Sequence, residues 1–374
     1  MTTLRGARAS WQARSITARP LAAATALAPR DQRLLCYPRA LSLIEDIEVC
    51  HERGWTDGLP VVPPYRPLVE RMLASIAAGW DEVLGELPRQ NIEVRGCEIA
   101  AAAVMAGCDP SYGPIVRAIA DAVLDPAFNL NGVAVTTGGA AILVITSGSC
   151  AARFGLAHGA NALGTATRSN ATLGRFAAFV RRSCAVAAGS AEEFGAVGHP
   201  GRLGFCVAEH PSTTWTPYHT QFGLEPGALA ITVHASEGPN SINNHYAETG
   251  EQLLETIADC VAHAGTTNFY YRYSGQVVVL APEHMRVIGA SFTRERAREF
   301  LLAHAVRSTD ELCRLGRIPR APDPTREVRP GTPRSPFARP EQLTFLEAGG
   351  PAGKFSAVIP LWVGNHSITR RVAA

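Results

Sequence analysis

The stretch that most constrains how this chain can fold runs from Val94 to Pro114, VRGCEIAAAAVMAGCDPSYGP. Every residue from Ile99 to Ala106 is apolar, which predicts a helix buried on all sides because it has no polar face for water. Gly107 stands where a helix end favours positive φ. The Asp-Pro-Ser that follows predicts the start of a second helix, Tyr112 to Leu124. We therefore expect two helices that meet at a sharp joint in the core.

Cys108 lies in this joint. A thiol just before a helix start faces unpaired backbone N–H groups and the positive end of the helix dipole, which favours the thiolate. The alternative is that Cys108 only packs, since free cysteine is among the residues most often buried. We take Cys108 as the candidate nucleophile, with His199 and Glu209 as the candidate imidazole and carboxylate for proton transfer.

The chain has 374 residues, of which 46% are hydrophobic, enough for a large core. Val- and Ile-rich runs alternate with helical patterns, which predicts an α/β fold with mixed or mostly parallel sheets covered by helices, as two lobes or one large unit. Strands are predicted at Leu130 to Thr136, Ala141 to Ile145, Phe205 to Ala208, Leu229 to His234 and Gln276 to Leu280.

The chain divides into four segments by composition. Residues 1–30 contain five arginines, and no acid occurs before Asp31, so residues 1–40 are predicted to be a disordered or transit-like extension. Residues 41–318 form the main α/β domain. Seven prolines mark residues 319–340 as a linker or extended surface arm. Residues 341–374 are predicted to form a strand, a glycine loop and a second strand that pack on the main domain.

Charge and cysteine usage exclude several classes of protein. A net charge of +2 without a run of Lys and Arg in the body argues against a nucleic-acid partner. No apolar stretch reaches the roughly 18 to 20 residues of a membrane span, so no membrane partner is expected. The nine cysteines are odd in number and dispersed, which favours a reducing, cytoplasmic location.

Two arginines point to an anionic small-molecule substrate. Arg168 and Arg175 bracket the start of a helix predicted from Ala171 to Ala187, and guanidinium groups there would clamp a carboxylate if both faced one cleft. The alternative is that they are solvated surface arginines. Asp57 lies in the loop GWTDGLPVVPPY, which its prolines make rigid and which we interpret as a pocket wall. Glu237 is the acid closest to the end of the fourth predicted strand.

The loop GGPAGKFS does not meet the pattern of a phosphate-binding P-loop. That pattern requires Gly where Ala348 stands and Ser or Thr where Phe355 stands. Lys354 remains a candidate for contact with a substrate anion. The sequence also has no dinucleotide fingerprint, so the cofactor is left unassigned.

The sequence also lacks the residue spacings typical of metal ligands, since it has no CxxC, no HExxH and no EF-hand loop. No metal site is predicted. The alternative is a site assembled from distant residues, such as Cys108, His199, Glu209 and His245.

Six segments, in this order, carry a resemblance to a known family: GWTDGLPVVPP, AVMAGCDPSYGPIV, FNLNGVAVTTG, RSNATLGR, GHPGRLGFCVAE and GGPAGKFSAVIP. Over residues 50–310 and 343–371 the chain resembles a bacterial family of uncharacterised proteins. Its members are often encoded beside, or fused to, small proteins that bear a U/C-G-S-C selenoprotein-like motif. The resemblance brings no activity, but it implies a small thiol- or selenol-bearing partner protein.

The resemblance also marks site residues. The matching positions are Asp57, Cys108, Arg168, Asn170, Arg175, His199, Glu209 and Glu237. Relatives commonly have a Gly-Pro-rich loop where this chain has GTAT, and an Asn-Gly-Pro turn where it has TSGSC. The resemblance therefore implies no shared ligand around residues 147–167.

Two hypotheses of function follow. The first is an enzyme, a biosynthetic carbon–heteroatom lyase or a hydrolase, that acts on a small carboxylate-bearing substrate through a cysteine thiolate. The second is a substrate-binding or structural subunit of a complex in which the reactive thiol or selenol lies on a partner protein.

Overall fold

The computed structural model of the protein describes residues 43–87, 89–164, 167–187, 194–319 and 328–373. These residues form helices and two four-stranded mixed sheets, which confirms the predicted α/β class. The extension predicted at residues 1–40 lies outside the described residues.

Helices and strands alternate along the described chain. The α-helices are α1 Leu43–Glu52, α2 Arg66–Ser75, α3 Gly96–Ala106, α4 Gly113–Val123, α5 Leu130–Val135, α6 Cys150–Phe154, α7 Arg168–Ala187, α8 Gly250–Val261, α9 Asn268–Tyr271, α10 Pro282–Gly289, α11 Arg294–His304 and α12 Thr309–Arg314. The strands are β1 Val83–Leu87, β2 Ile92–Arg95, β3 Ala141–Ser147, β4 Phe205–Ala208, β5 Ala230–Ser236, β6 Asn240–Asn243, β7 Gln276–Leu280, β8 Arg307–Ser308, β9 Pro333–Arg334, β10 Leu343–Glu347, β11 Phe355–Pro360 and β12 Ile368–Arg371. Within the described residues, every helix is too short or too polar to cross a membrane.

Both large sheets combine parallel and antiparallel pairs. The first sheet has the order β12-β5-β3-β4, in which β3 and β4 are parallel and the other two pairs are antiparallel. The second sheet has the order β10-β7-β11-β6, in which β7 and β10 are parallel and the other pairs are antiparallel. The sheets are therefore mixed, as one alternative of the prediction states, and the alternative of mostly parallel sheets is wrong.

An apolar layer lies between the two sheets. Leu143 and Ile145 of β3 share one buried cluster with Val277 and Val279 of β7. The alternate residue Val144 belongs to a second cluster with α2, α3, α4 and α7 on the opposite face of the first sheet. The outer face of the second sheet packs in the same way against α8, α10, α11 and α12. Strand alternation thus builds the order helices, sheet, sheet, helices.

The predicted helix joint is present. Helix α3 is buried along nearly its whole length, and Gly107 ends it at φ 87°. The N–H of Cys108 donates to the carbonyl of Ala103 at 3.0 Å, which closes the last turn. A short 3₁₀ turn, Pro110–Tyr112, then leads into α4. The sequence therefore predicted this joint correctly, apart from the intervening turn.

Two segments differ from the sequence-based prediction. The strand predicted at residues 130–136 is wrong, because this segment forms α5, in which the Asn129 side chain accepts from the N–H of Gly132 at 3.2 Å. A short apolar run fits a buried helix as well as a strand, and packing against α7 decides between them. The polar loop predicted after β5 contains β6, in which only Ile242 is buried, so its sequence shows no apolar alternation.

The described part of the proline-rich segment, residues 328–340, is packed against the second sheet's helices. Val328 and Phe337 are buried in that core, and Arg334 is only 5% exposed. This part therefore differs from the solvated linker that its prolines predicted, and residues 320–327 lie outside the described residues.

The C-terminal segment forms the predicted strand, glycine loop and strand. Its strands β10 and β11 lie on either side of β7, and β12 continues into the first sheet. The segment thus contributes strands to both sheets.

A buried polar network connects the two sheets. The imidazole of His234, on β5, contacts the Ser367 hydroxyl through Nδ1 at 2.6 Å and the Tyr218 hydroxyl through Nε2 at 2.9 Å. Tyr218 also contacts the hydroxyl of Thr344, on β10, at 3.1 Å. Burial lowers the pKa of His234 to about 3. The folded protein therefore holds this imidazole neutral at pH values where the unfolded chain protonates it.

This network predicts loss of stability in acid. Below the ordinary histidine pKa of 6.5 the unfolded state binds a proton that folded His234 does not, so the free energy of unfolding falls as pH drops towards about 3. His234→Gln should reduce the slope of that free energy against pH, measured by urea unfolding, by up to about 1.4 kcal/mol per pH unit. Ser367→Ala is the control, because it removes one partner and keeps the imidazole. An unchanged slope in His234→Gln would contradict this account.

Candidate functional site

The three residues predicted to be catalytic do not share a site. His199 lines a large cleft, and Glu209 lines a separate small cavity. Cys108 lines neither cavity and packs instead against α7, with Sγ 3.4 Å from the carbonyl oxygen of Thr172. The described residues therefore do not assemble the predicted nucleophile with its acid or base.

The structure does not favour the thiolate predicted at Cys108. The side chain is only 6% exposed, and burial raises the pKa of its thiol to about 12. The N–H groups that were expected to stabilise a thiolate are used differently, since the Asp109 carboxylate accepts from the N–H of Ser111 at 3.0 Å. Cys108 is thus a packed thiol in this conformation.

Arg175 and Asp57, both predicted to bind substrate, bind each other. Nε and Nη2 of Arg175 lie 2.8 and 2.7 Å from the two carboxylate oxygens of Asp57, a bidentate pair. Nη1 of Arg175 also donates to the carbonyl of Pro60 at 3.0 Å. The side chains are 17% and 12% exposed. The pair therefore fastens the rigid loop before α2 to helix α7.

Arg168 does not join Arg175 in an anion clamp. Its Nε and Nη2 donate to the carbonyl of Gly107 at 3.2 and 3.1 Å, where they cap the end of α3. Arg168 and Arg175 lie two helical turns apart, about 10 Å along the axis of α7. The two guanidinium groups stabilise two different chain segments.

Asn170 has a similar structural role. Its amide oxygen accepts from the N–H of Ala157 at 2.8 Å, and its amide nitrogen donates to the carbonyls of Ala157 and Cys206 at 3.1 and 3.3 Å. The side chain is 2% exposed. Asn170 therefore joins α7 to β4 and to the loop after α6.

The last two predicted binding residues lie on other elements. The Glu237 carboxylate accepts from the Thr267 hydroxyl at 2.8 Å, and burial raises its pKa. Lys354 donates from Nζ to the carbonyl of His245 at 2.7 Å. The glycine loop does bind an anion, but an internal one: the N–H groups of Gly353 and Lys354 donate to the Glu283 carboxylate at 2.6 and 2.9 Å.

The structure offers a different candidate site, a cleft of about 630 Å³ beside the C-terminal half of α7, which we call the arginine cleft. Its lining comprises Asp57, Ala178, Phe179, Arg181, Arg182, Gly195, Val197, Gly198, His199, Pro200, Arg202 and Leu203. Four of these residues, Ala178, Phe179, Arg181 and Arg182, belong to α7. They recur at spacings of three and four, so they share one face of the helix. The volume is typical of sites for small organic molecules.

Three arginines, Arg181, Arg182 and Arg202, are among the described residues that line the arginine cleft. The one carboxylate among these described residues, Asp57, is engaged by Arg175. Nη1 of Arg202 donates to the carbonyl of Ala140 at 3.0 Å, which fixes its direction. Sequence reasoning missed these three arginines as a group. The available signal was an Arg-Arg pair in an otherwise apolar helix and an arginine three residues after His199.

His199 is held as a neutral imidazole at the cleft wall. Its Nδ1 accepts from the N–H of Gly201 at 3.2 Å and its Nε2 lies 3.3 Å from the carbonyl of Ser236, which assigns the proton to Nε2. Burial, and then the charges of Arg202 and Arg181, lower its pKa. Both ring nitrogens have backbone partners. His199 is therefore better placed to form a rigid part of the cleft wall than to act as a base.

The described residues hold no group of three or more His, Cys, Asp and Glu side chains arranged for a metal ion. The alternative site from Cys108, His199, Glu209 and His245 is therefore not assembled.

Glu209 lies at the end of β4, only 4% exposed. Its Oε1 accepts from the N–H of Tyr218 at 2.6 Å. Burial raises the pKa of Glu209 to about 7, with Glu347 adding to the increase and Arg294 opposing it. The buried carboxyl group is therefore partly protonated near neutral pH.

The raised pKa predicts a stability cost at alkaline pH. The unfolded chain ionises Glu209 near its ordinary value of 4.5, so the folded state loses relative stability as pH rises from there to about 7. Glu209→Gln should unfold with a free energy roughly 3 kcal/mol higher than the natural protein at about pH 8, and the difference should vanish near pH 4.5. Paired urea titrations measure both values. A difference that does not change with pH would contradict the assignment.

The chain matches no known family model, no curated protein and no solved structure. Its function must therefore be argued from the chemistry of the site.

Proposed function

We propose that this chain binds a small carboxylate-bearing molecule in the arginine cleft. The observation that carries the proposal is Arg182, whose buried Nε has no hydrogen-bond partner among the described residues and which lines a cavity of about 630 Å³ together with Arg181 and Arg202. Guanidinium groups match the planar geometry of a carboxylate and lose little solvation when they bind it.

The rest of the lining suits the remainder of such a ligand. Phe179, Val197 and Leu203 line the cleft with apolar groups, and Val197 and Leu203 are exposed. The neutral His199 adds no charge to the wall. A molecule with one anionic end and an apolar body therefore fits both parts of the cleft.

Of the two functions expected from the sequence, this site supports the substrate-binding subunit best. Among the described residues no cysteine lines the arginine cleft, and Cys108 is buried against a different part of α7. Thr172, which contacts Cys108, precedes Arg181 by nine residues, about 13 Å along the helix. A reactive thiol or selenol on the partner protein that the resemblance implies would supply the nucleophile.

The lyase or hydrolase hypothesis makes a different prediction for the purified chain. An enzyme that uses its own Cys108 would turn over substrate without a partner, and Cys108→Ser would abolish that activity. Turnover by the chain alone would therefore refute the binding-subunit proposal.

Arg182 provides the most direct test of binding. Its Nε is buried and has no hydrogen-bond partner among the described residues, so a ligand carboxylate would satisfy it. Arg182→Met should weaken binding of a small aliphatic or aromatic carboxylate, measured by calorimetry, by about tenfold or more, because a charge-assisted hydrogen bond contributes roughly 1.5 to 3 kcal/mol.

The matched control is Arg314→Met, which removes an exposed arginine that does not line the cleft. It should leave the affinity unchanged. Equal affinities for Arg182→Met and the natural protein, or no carboxylate binding by the natural protein, would contradict the proposal.

A further inference from the structure

A second, much smaller cavity lies where three strands end. Its volume is about 10 Å³, and its lining comprises Glu209, Thr213, Trp215, Thr216, Leu280, Met285, Arg294, Phe345, Leu346 and Glu347. Glu209 directly follows β4, and Leu280 and Glu347 end β7 and β10. A volume of this size holds about one water molecule.

Arg294 is the charged residue that this cavity leaves incompletely bonded. It is 7% exposed, its Nη1 donates to the Thr216 hydroxyl at 2.9 Å, and its Nη2 donates to the Thr216 carbonyl. Its Nε is buried and has no hydrogen-bond partner in the part of the chain that the structure describes. A buried, charged N–H without a partner is costly, which points to an additional acceptor.

We propose that the cavity binds one water molecule, which accepts a hydrogen bond from Nε of Arg294 and donates one to the carboxyl group of Glu209. The polar lining meets the need of a buried water for two or more partners. This water would connect α11, which packs on the second sheet, to the end of β4 in the first sheet.

The charges of the lining select water over an ion. Glu347, together with the ionised fraction of Glu209, would repel a halide, and Arg294 would repel a metal cation. The volume excludes a larger molecule. A neutral ligand with both a donor and an acceptor function is the one that satisfies Arg294 and Glu209 together.

A crystal structure of the natural protein, at a resolution that shows ordered water, tests the proposal. We expect one water peak within hydrogen-bonding distance of Arg294 Nε and of a Glu209 carboxyl oxygen. An empty cavity, or a direct bond from Nε to a protein atom, would overturn the proposal. A bromide soak that gives an anomalous peak in the cavity would overturn it in favour of a halide.

Two variants separate the partners of the water. Arg294→Met removes the donor and should lose the peak, whereas Glu209→Gln keeps a side-chain amide in place and should retain it. Retention of the peak in Arg294→Met would overturn the role given to Nε. If Arg294→Met does not fold, the natural protein and its bromide soak still decide the question.

Discussion

The ion pair between Arg175 and Asp57 is the interaction on which the arrangement of the site depends. It joins helix α7 to a rigid loop that is 118 residues away in sequence, through two hydrogen bonds of 2.7 and 2.8 Å. Helix α7 packs against α3, α4, α5, β3 and β4, so the loop is fixed relative to the whole first sheet. Because Asp57 also lines the arginine cleft, this pair places one wall of the cleft.

The same pair also bears on the charge of the cleft. Asp57 is the one carboxylate among the described residues that line the cleft, and its charge is matched by Arg175. A nearly buried ion pair costs desolvation, so its retention is better explained by the geometry that it imposes than by its contribution to stability.

Much of the fold was predictable from local patterns, and the site was not. The apolar run before Gly107 indicates a buried helix and its end, because the run is long and a glycine follows it. The short apolar run of β3 favours a strand because it is rich in β-branched residues. By contrast, α5 and β6 are decided by tertiary packing. Asp57, Arg175 and Asn170 were recognised individually as polar residues in special positions. Their partners lie elsewhere in the chain, and a sequence shows a charge without showing what neutralises it.

Cys108 shows the same limit of sequence-based prediction, here for the pKa of a side chain. Its position before a helix favoured a thiolate, but burial is the larger effect and raises the pKa to about 12. The sequence indicates that the helix dipole favours a thiolate at Cys108, but it does not show how deeply Cys108 is buried. Cys108 and Arg175 therefore belong to the architecture, and ligand binding is proposed only for the cleft that Arg182 lines.

A double-mutant cycle on Asp57→Ala and Arg175→Ala tests this division most directly, with urea unfolding and carboxylate binding measured on each protein. We expect each single variant to lose about 2 to 3 kcal/mol of unfolding free energy, because it leaves the other charge unpaired, and the double variant to lose less than either single variant, because no unpaired charge remains. If Arg175→Ala instead kept its full stability and abolished carboxylate binding, Arg175 would be a ligand-binding residue and the account would be wrong.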